Sequence, residues 1–326
     1  MVPKGPVYTR IASLTLALGV WATAAATVTA ATPARYTIPG ERVFPEGVAV
    51  VPGTRTFFVS STRDGTIFRG DLRRPALRPF LAGGANDRDV AVGLKADRDG
   101  RLYVAGGATG AVFVYNRRNA RLIRAFDTGL RWPQSFVNDV ALAPAGDAYV
   151  TDSLRPAIYR VPVSSLARAS LDRSPPETFL ELSGTAISYG PGINLNGIAV
   201  TRGGGALLVV QSNTGALFRI DIASKRVSEV PVDGGRRLRG GDGLLLRGRD
   251  LYVVCNERER LLKVSLAPDL ASGRVVETVR DRRFAYPTTL ASAGSRLLVV
   301  NSQLDRQPRG RRAPVLPFTV SSVRRP

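Results

Sequence analysis

Histidine is absent from all 326 residues. That excludes Ser-His-Asp chemistry, an imidazole general base, and every His-ligated zinc, copper or iron site. Cysteine occurs once, at Cys255, which rules out an internal disulfide, a thiolate metal cluster and an iron–sulfur centre. Any metal must therefore be bound by oxygen, which points to calcium or magnesium. Acidic residues are also few: 26 Asp and Glu stand against 46 Lys and Arg, a formal charge of +20. The excess is almost all arginine and is scattered, with short clusters at Arg236-Arg237-Leu238-Arg239, Arg282-Arg283 and Arg309 to Arg312. No helical stripe carries it, and no aromatics interleave with it as on a base-stacking platform, so no specific nucleic-acid partner is expected. The basic residues read as a solvated surface or as an attraction to anionic cell-wall or membrane polymers. What is plentiful is apolar material, 44% of the chain, enough for a sizeable buried core.

The first thirty residues read as a leader rather than as part of the fold. Lys4 and Arg10 precede an uncharged run from Ile11 to Ala30 that ends in small residues, Val28-Thr29-Ala30, suited to a signal peptidase. The run is also about long enough to span a bilayer, so an uncleaved anchor is the alternative. The expectation is a signal peptide over 1–30, a single domain over 31–326, and a monomer that is secreted or held outside the cytoplasmic membrane.

An internal repeat defines the rest. Segments beginning at Glu46, Val92, Asn138, Asn196, Asp242 and Thr288 each show a short apolar strand, a turn, and a second apolar strand ending in small or polar residues. The spacings are 46, 46, 58, 46 and 46 residues. A third strand follows each pair (GTIFRGDL, AVFVYNR, PAIYRVPV, ALFRIDI, RLLKVSL), and then a more polar fourth. Four strands per 40–50 residues is the period of a β-propeller blade. The expected fold is all-β: a six-bladed propeller of four-stranded antiparallel blades. The sixth unit lacks an outer strand, and the segment around Tyr36 to Ile38 is the candidate to supply it, closing the ring. The 12 extra residues between units three and four, within Ser164 to Leu195, are a candidate lid.

In a propeller the first residues of the inner strands converge on the central axis. Here that column reads Glu46, Val92, Asn138, Asn196, Asp242, Thr288. Two carboxylates and two carboxamides form an oxygen donor set for a hard divalent cation, and rigid ligands from separate blades favour calcium over magnesium. The alternative is turn chemistry, since Asn-Gly and Asp-Gly are common turn dipeptides and Asp64-Gly65 and Asp99-Gly100 sit in intrablade hairpins. A second column, Ser61, Gly106, Asp152, Gln211, Cys255 and Asn301, falls late in the second strands, and its Cys255 reads as a buried, inert thiol. The entry loops add Phe44, Trp132, Phe136, Tyr189 and Tyr286, with Arg239 three residues before Asp242. An aromatic mouth suits a hydrophobic ester or lactone better than a free sugar acid.

The motifs FPEGVAV, FVNDVALAPAGDAYVTDS, LNGIAV and GGDGLLL, taken together over nearly the whole of 31–326, resemble the senescence marker protein, gluconolactonase and luciferin-regenerating enzyme family. The chain is more distantly similar to diisopropylfluorophosphatase and the strictosidine-synthase-like proteins. The resemblance implies a calcium propeller in which Glu46, Asn196 and Asp242 ligate the ion directly and Asn138 reaches it directly or through water and substrate. Sugar-lactonase members carry an arginine two residues before the blade-three Asn; here that residue is Phe136.

Two functions fit. One is a calcium-dependent hydrolase of a small lactone or related ester. Without histidine a metal-bound carboxylate is the base type that remains, and Asp242 is the candidate to assist water attack, with Asn138, Phe136, Arg239 and Tyr189 contacting the substrate. The other is an exported, non-catalytic propeller that binds a ligand or partner through its mouth and holds its calcium structurally.

Overall fold

Every propeller strand must bury two faces, and the sequence supplies continuous apolar runs rather than a strict alternation. In the computed structural model, residues 1–5, 32–233, 238–307 and 312–326 are described; the expected leader lies outside them except for its first five residues. Thr32–Pro326 form one compact unit. Its strands make six antiparallel blades whose inner strands are Pro45–Val50, Leu94–Ala96, Val137–Leu142, Leu195–Val200, Gly241–Arg247 and Pro287–Ala293. Among the described residues the only helices are three short 3-10 turns, Ala85–Asp87, Val163–Leu166 and Leu304–Arg306.

Six apolar clusters hold the ring, one between each pair of neighbouring blades. Phe57 and Val59 of blade one face blade six, packing with Leu298, Val300 and Phe318. The intervening Phe58 faces blade two and packs with Leu94, Leu102 and Phe113. The same period-2 partition repeats around the ring, which is why the second strands read TFFVSS, ALLVVQ and RLLVVN without a polar face.

The ring closes as the sequence suggests. Arg35–Ile38 pairs antiparallel with Phe318–Arg324, Tyr36 opposite Val320 and Ile38 opposite Phe318. Tyr36 and Ile38 are fully buried there, and the Tyr36 hydroxyl donates to the Leu72 carbonyl oxygen of blade one (3.0 Å). The closing strand thus removes a free edge and ties the last blade to the first.

The insertion in blade three is not a lid. It lies mainly between the third strand, Ala157–Val161, and the outer strand, Glu177–Glu181, and sends Arg173–Ser174 to pair in parallel with the outer strand of blade two, Leu122–Asp127. The Arg173 guanidinium then bonds Asp87, Asp127 and the Asn86 carbonyl oxygen. A lid would need apolar residues free to cover the mouth. These residues are instead committed to a blade edge, and within 164–195 only Ile193 reaches the central cavity.

Candidate metal centre

The inner strands of five blades share an irregularity at one position. Register shifts fall between Pro45 and Val48, Val137 and Val140, Leu195 and Ile198, Gly241 and Leu244, and Pro287 and Leu290. Each interval contains the ring residue and its successor. Bulges of this kind re-aim a side chain, and here they sit at Glu46, Asn138, Asn196, Asp242 and Thr288. The glycines that follow have a packing reason as well. A Cβ on Gly197 would lie 2.1 Å from the Asp242 carbonyl oxygen, and one on Gly47 would lie 2.2 Å from that of Val92. Asn196-Gly197 and Asp242-Gly243 therefore lie inside strands, where the missing side chain lets adjacent inner strands touch. Turn chemistry does apply at Asp64-Gly65 and Asp99-Gly100, whose glycines have φ of 78° and 97°.

Glu46, Asn138, Asn196 and Asp242 all line one cavity of about 520 Å³. All four are buried, at 3–6% exposure. Each keeps one oxygen with no hydrogen-bond partner: Glu46 Oε2, Asn138 Oδ1, Asn196 Oδ1 and Asp242 Oδ1. Buried acceptors are normally satisfied, so four orphans contributed by four blades to one cavity need a partner within it, a cation or water. The other ends of three of these side chains are fixed. Asn138 Nδ2 donates to Ser153 Oγ (2.8 Å), Asn196 Nδ2 to Ser212 Oγ (3.1 Å), and Asn256 Nδ2 donates to Asp242 Oδ2 (3.2 Å). The two serines are held in turn by carbonyl oxygens of the next blade, Leu195 and Gly241. Outer-shell hydrogen bonds of this type orient the free oxygens of metal-binding groups.

Ser153, Ser212 and Asn256 were not among the residues singled out from sequence. Their signal was available, because each directly follows the second-strand column at Asp152, Gln211 and Cys255. That column has a structural role: Ser61 donates to the Val43 carbonyl, Asp152 accepts from the Phe136 N–H, and Gln211 donates to the Ser188 carbonyl, each bracing an entry loop. Cys255 is buried, and burial pushes its thiol pKa up, leaving it protonated and inert.

The two carboxyls among these groups are strongly perturbed. Burial pushes the Glu46 carboxyl well above the usual carboxylate range; the charges of Asp242 and Asp139 add to the shift and Lys95 opposes it. Asp242 is raised likewise, by burial first and by Asp139 next, against the hydrogen bond from Asn256. Asp139, also buried, accepts from the Val140 N–H (2.8 Å) and has Lys95 Nζ 3.7 Å away. Among the described residues neither Glu46 nor Asp242 forms an ion pair, and the nearest cation, Lys95, sits against Asp139. Among the described residues no group of three or more Asp, Glu, His or Cys is placed to hold a metal; the donor set is two carboxylates and two amides. That oxygen set, two charges included, fits calcium, or another hard divalent cation.

The remaining lining comes from the loops joining second to third strands and from the loops entering each blade. It includes Val90, Val92, Ala108, Phe136, Ile193 and Tyr286 on entry or hairpin loops, with Leu304 and Gln307 from blade six. Phe136 lies edge-on to Trp132, with ring centres 6.1 Å apart. Two of the expected substrate residues are elsewhere. Tyr189 does not line the cavity; it packs in the cluster between blades three and four and its hydroxyl donates to the Asp152 carbonyl oxygen. Arg239 is exposed and also absent from the lining, where the neighbouring Gly240 takes the place. Phe44, expected at the mouth, is buried in the core against Phe318.

With this geometry in hand the chain can be set beside known proteins. No protein-family model matches it, and no curated protein matches it by sequence. Solved structures do. It is similar to Mala s 1, the major allergen of Malassezia sympodialis, at 16% identity over 90% of this chain and 96% of that one, with a TM-score of 0.64. It is similar to virginiamycin B lyase from Staphylococcus aureus at 12% identity over 90% and 98%, TM-score 0.57. It is also similar to hydrazine synthase of Kuenenia stuttgartiensis at 16% identity over 86% and 83%, TM-score 0.56. The likeness is one of fold. Proteins with an allergen's name and with two different enzymes' names share this likeness, so chemistry must be argued from this chain's own site.

Proposed function

We propose that Glu46, Asn138, Asn196 and Asp242 hold one divalent cation, calcium by ligand type, and that the mouth above them hydrolyses a neutral lactone or related ester. The four orphaned oxygens carry this reading. An ion there would polarise a carbonyl oxygen and lower the pKa of water. The chain's own groups do the rest. Asp242, held at Oδ2 by Asn256, takes the proton as a water oxygen bonds to the carbonyl carbon. The same proton passes to the leaving oxygen when the ester bond breaks. Phe136, Val90, Val92 and Ala108 form an apolar wall for the acyl portion, and a cavity of about 520 Å³ is of small-ligand size. Hydrolysis of a lactone and aryl-ester panel, with and without chelator, tests the proposal. Turnover that is lost with chelator, restored by calcium and abolished in Asp242→Asn supports it; turnover that survives both treatments overturns it.

One observation favours a second reading. Phe136 lines the cavity where the sugar-lactonase relatives suggested by the motifs carry an arginine, which suits a binding mouth with a structural ion. A large rise in melting temperature with calcium, and no turnover of any ester, lactone or phosphotriester, selects this reading over the first.

A further inference from the structure

Among the described residues several arginines are neutralised by a neighbouring acid. Arg131 pairs with Asp127, Arg160 with Asp147 and Glu177, and Arg283 with Asp281. The outer edge of blade one instead gathers unpaired arginines on one face. Arg69, on Ile67–Asp71, stands directly opposite Arg78 on the edge strand Arg78–Leu81. Directly opposed residues of an antiparallel pair project on one face, and like charges there are destabilising. Arg69, Arg74 and Arg78 are exposed and line one open cleft of about 500 Å³ with Thr56, Asp71 and Phe80. Among the described residues none of the three guanidinium groups has an ion-pair or hydrogen-bond partner. The cleft's one carboxylate, Asp71, is already engaged, accepting from the Arg73 N–H (2.8 Å) with Arg55 Nε 3.8 Å away.

We infer that this edge is a binding site for a linear phosphate polymer, separate from the mouth and independent of its chemistry. Guanidinium forks match phosphate oxygens in pairs, and three of them along one cleft suit successive phosphates better than a single ion. A membrane surface fits less well, since the exposed large apolar side chains of the propeller, Trp132, Leu171, Val276, Val315 and Leu316, lie on other segments.

The test titrates inorganic polyphosphate into the full chain at several salt concentrations. Replacing Arg69, Arg74 and Arg78 together by alanine should weaken binding at least tenfold. It should also reduce the slope of log Kd against log salt by about 2, at about 0.7 for each phosphate of a single strand that is no longer neutralised. A control removes the same charge from exposed Arg247, Arg249 and Arg274 of blade five, and should change binding less than threefold. Equal losses in both triple variants would mean that net charge alone attracts the polymer, and would overturn the site. Binding to phosphatidylglycerol vesicles without binding to polyphosphate would overturn the choice of ligand. Unchanged melting temperatures confirm that each triple variant is folded.

Discussion

Replacing Glu46 by glutamine keeps the side chain's shape and removes one of the two buried charges. If two carboxylate oxygens share one ion at about 2.5 Å each, they lie no more than about 5 Å apart. At an effective dielectric of about 20, charges at that separation repel by about 3 kcal/mol, whereas each attracts a divalent ion at about 2.5 Å several times more strongly. Glu46→Gln removes that attraction and should weaken calcium binding by at least about a hundredfold, at about 1.4 kcal/mol per tenfold. In the ion-free protein the sign reverses. The folded pKa of Glu46 stands above its unfolded value of about 4.3, so the folded form binds the extra proton between the two values. Its contribution to stability is best below about pH 4.3 and falls as pH rises through the raised folded value. The glutamine variant lacks that loss. Melting curves in excess chelator should place Glu46→Gln above the wild type at pH 7.5, with the two converging near about pH 4.5, where the native carboxyl is protonated. Calorimetric titration at pH 7.5 supplies the affinity. An unchanged calcium Kd, or a variant less stable than the wild type in chelator at pH 7.5, refutes the reasoning.

Other consequences follow from the same geometry. Ser153→Ala or Ser212→Ala frees the amide of Asn138 or Asn196 to turn, and the loss of about 1 kcal/mol of orienting hydrogen bond should weaken calcium binding about fivefold; an unchanged Kd in both variants removes their orienting role. Gly197→Ala forces a Cβ against the Asp242 carbonyl oxygen at 2.1 Å, and should lower the melting temperature and calcium affinity together; a variant that melts and titrates like the wild type contradicts the close approach of blades four and five. Ile38→Ala, fully buried in the closing strand, should cost about 2–5 kcal/mol in denaturant unfolding. A cost below about 1 kcal/mol would mean that the first strand does little to close the ring.

What the sequence made legible was what repeats. The 46-residue period placed Glu46, Asn138, Asn196 and Asp242 in one register, and the structure brings all four to one cavity. The unfinished sixth unit pointed to Tyr36–Ile38 for the same reason, because a missing period needs a partner strand. Features without a period were hidden. The bulges that turn the ring residues inward have no composition signal, since Pro45-Glu46-Gly47 and Leu195-Asn196-Gly197 read as uninterrupted strand entries. The insertion in blade three was visible as length alone; its use depends on Arg173 reaching Asp87, a contact between residues 86 positions apart. Tyr189 and Arg239 were placed at the mouth by loop position, which fixes neither the direction of a side chain nor its burial. Loop position left packing and contact both open for Tyr189, and its hydroxyl donates to the Asp152 carbonyl oxygen within the wall.

Whether four oxygens from four blades hold one cation is decided by crystals grown with calcium and measured for anomalous scattering. A single anomalous peak is expected about 2.3–2.6 Å from Glu46 Oε2, Asn138 Oδ1, Asn196 Oδ1 and Asp242 Oδ1. Density for water alone among these oxygens at millimolar calcium and neutral pH would contradict the assignment.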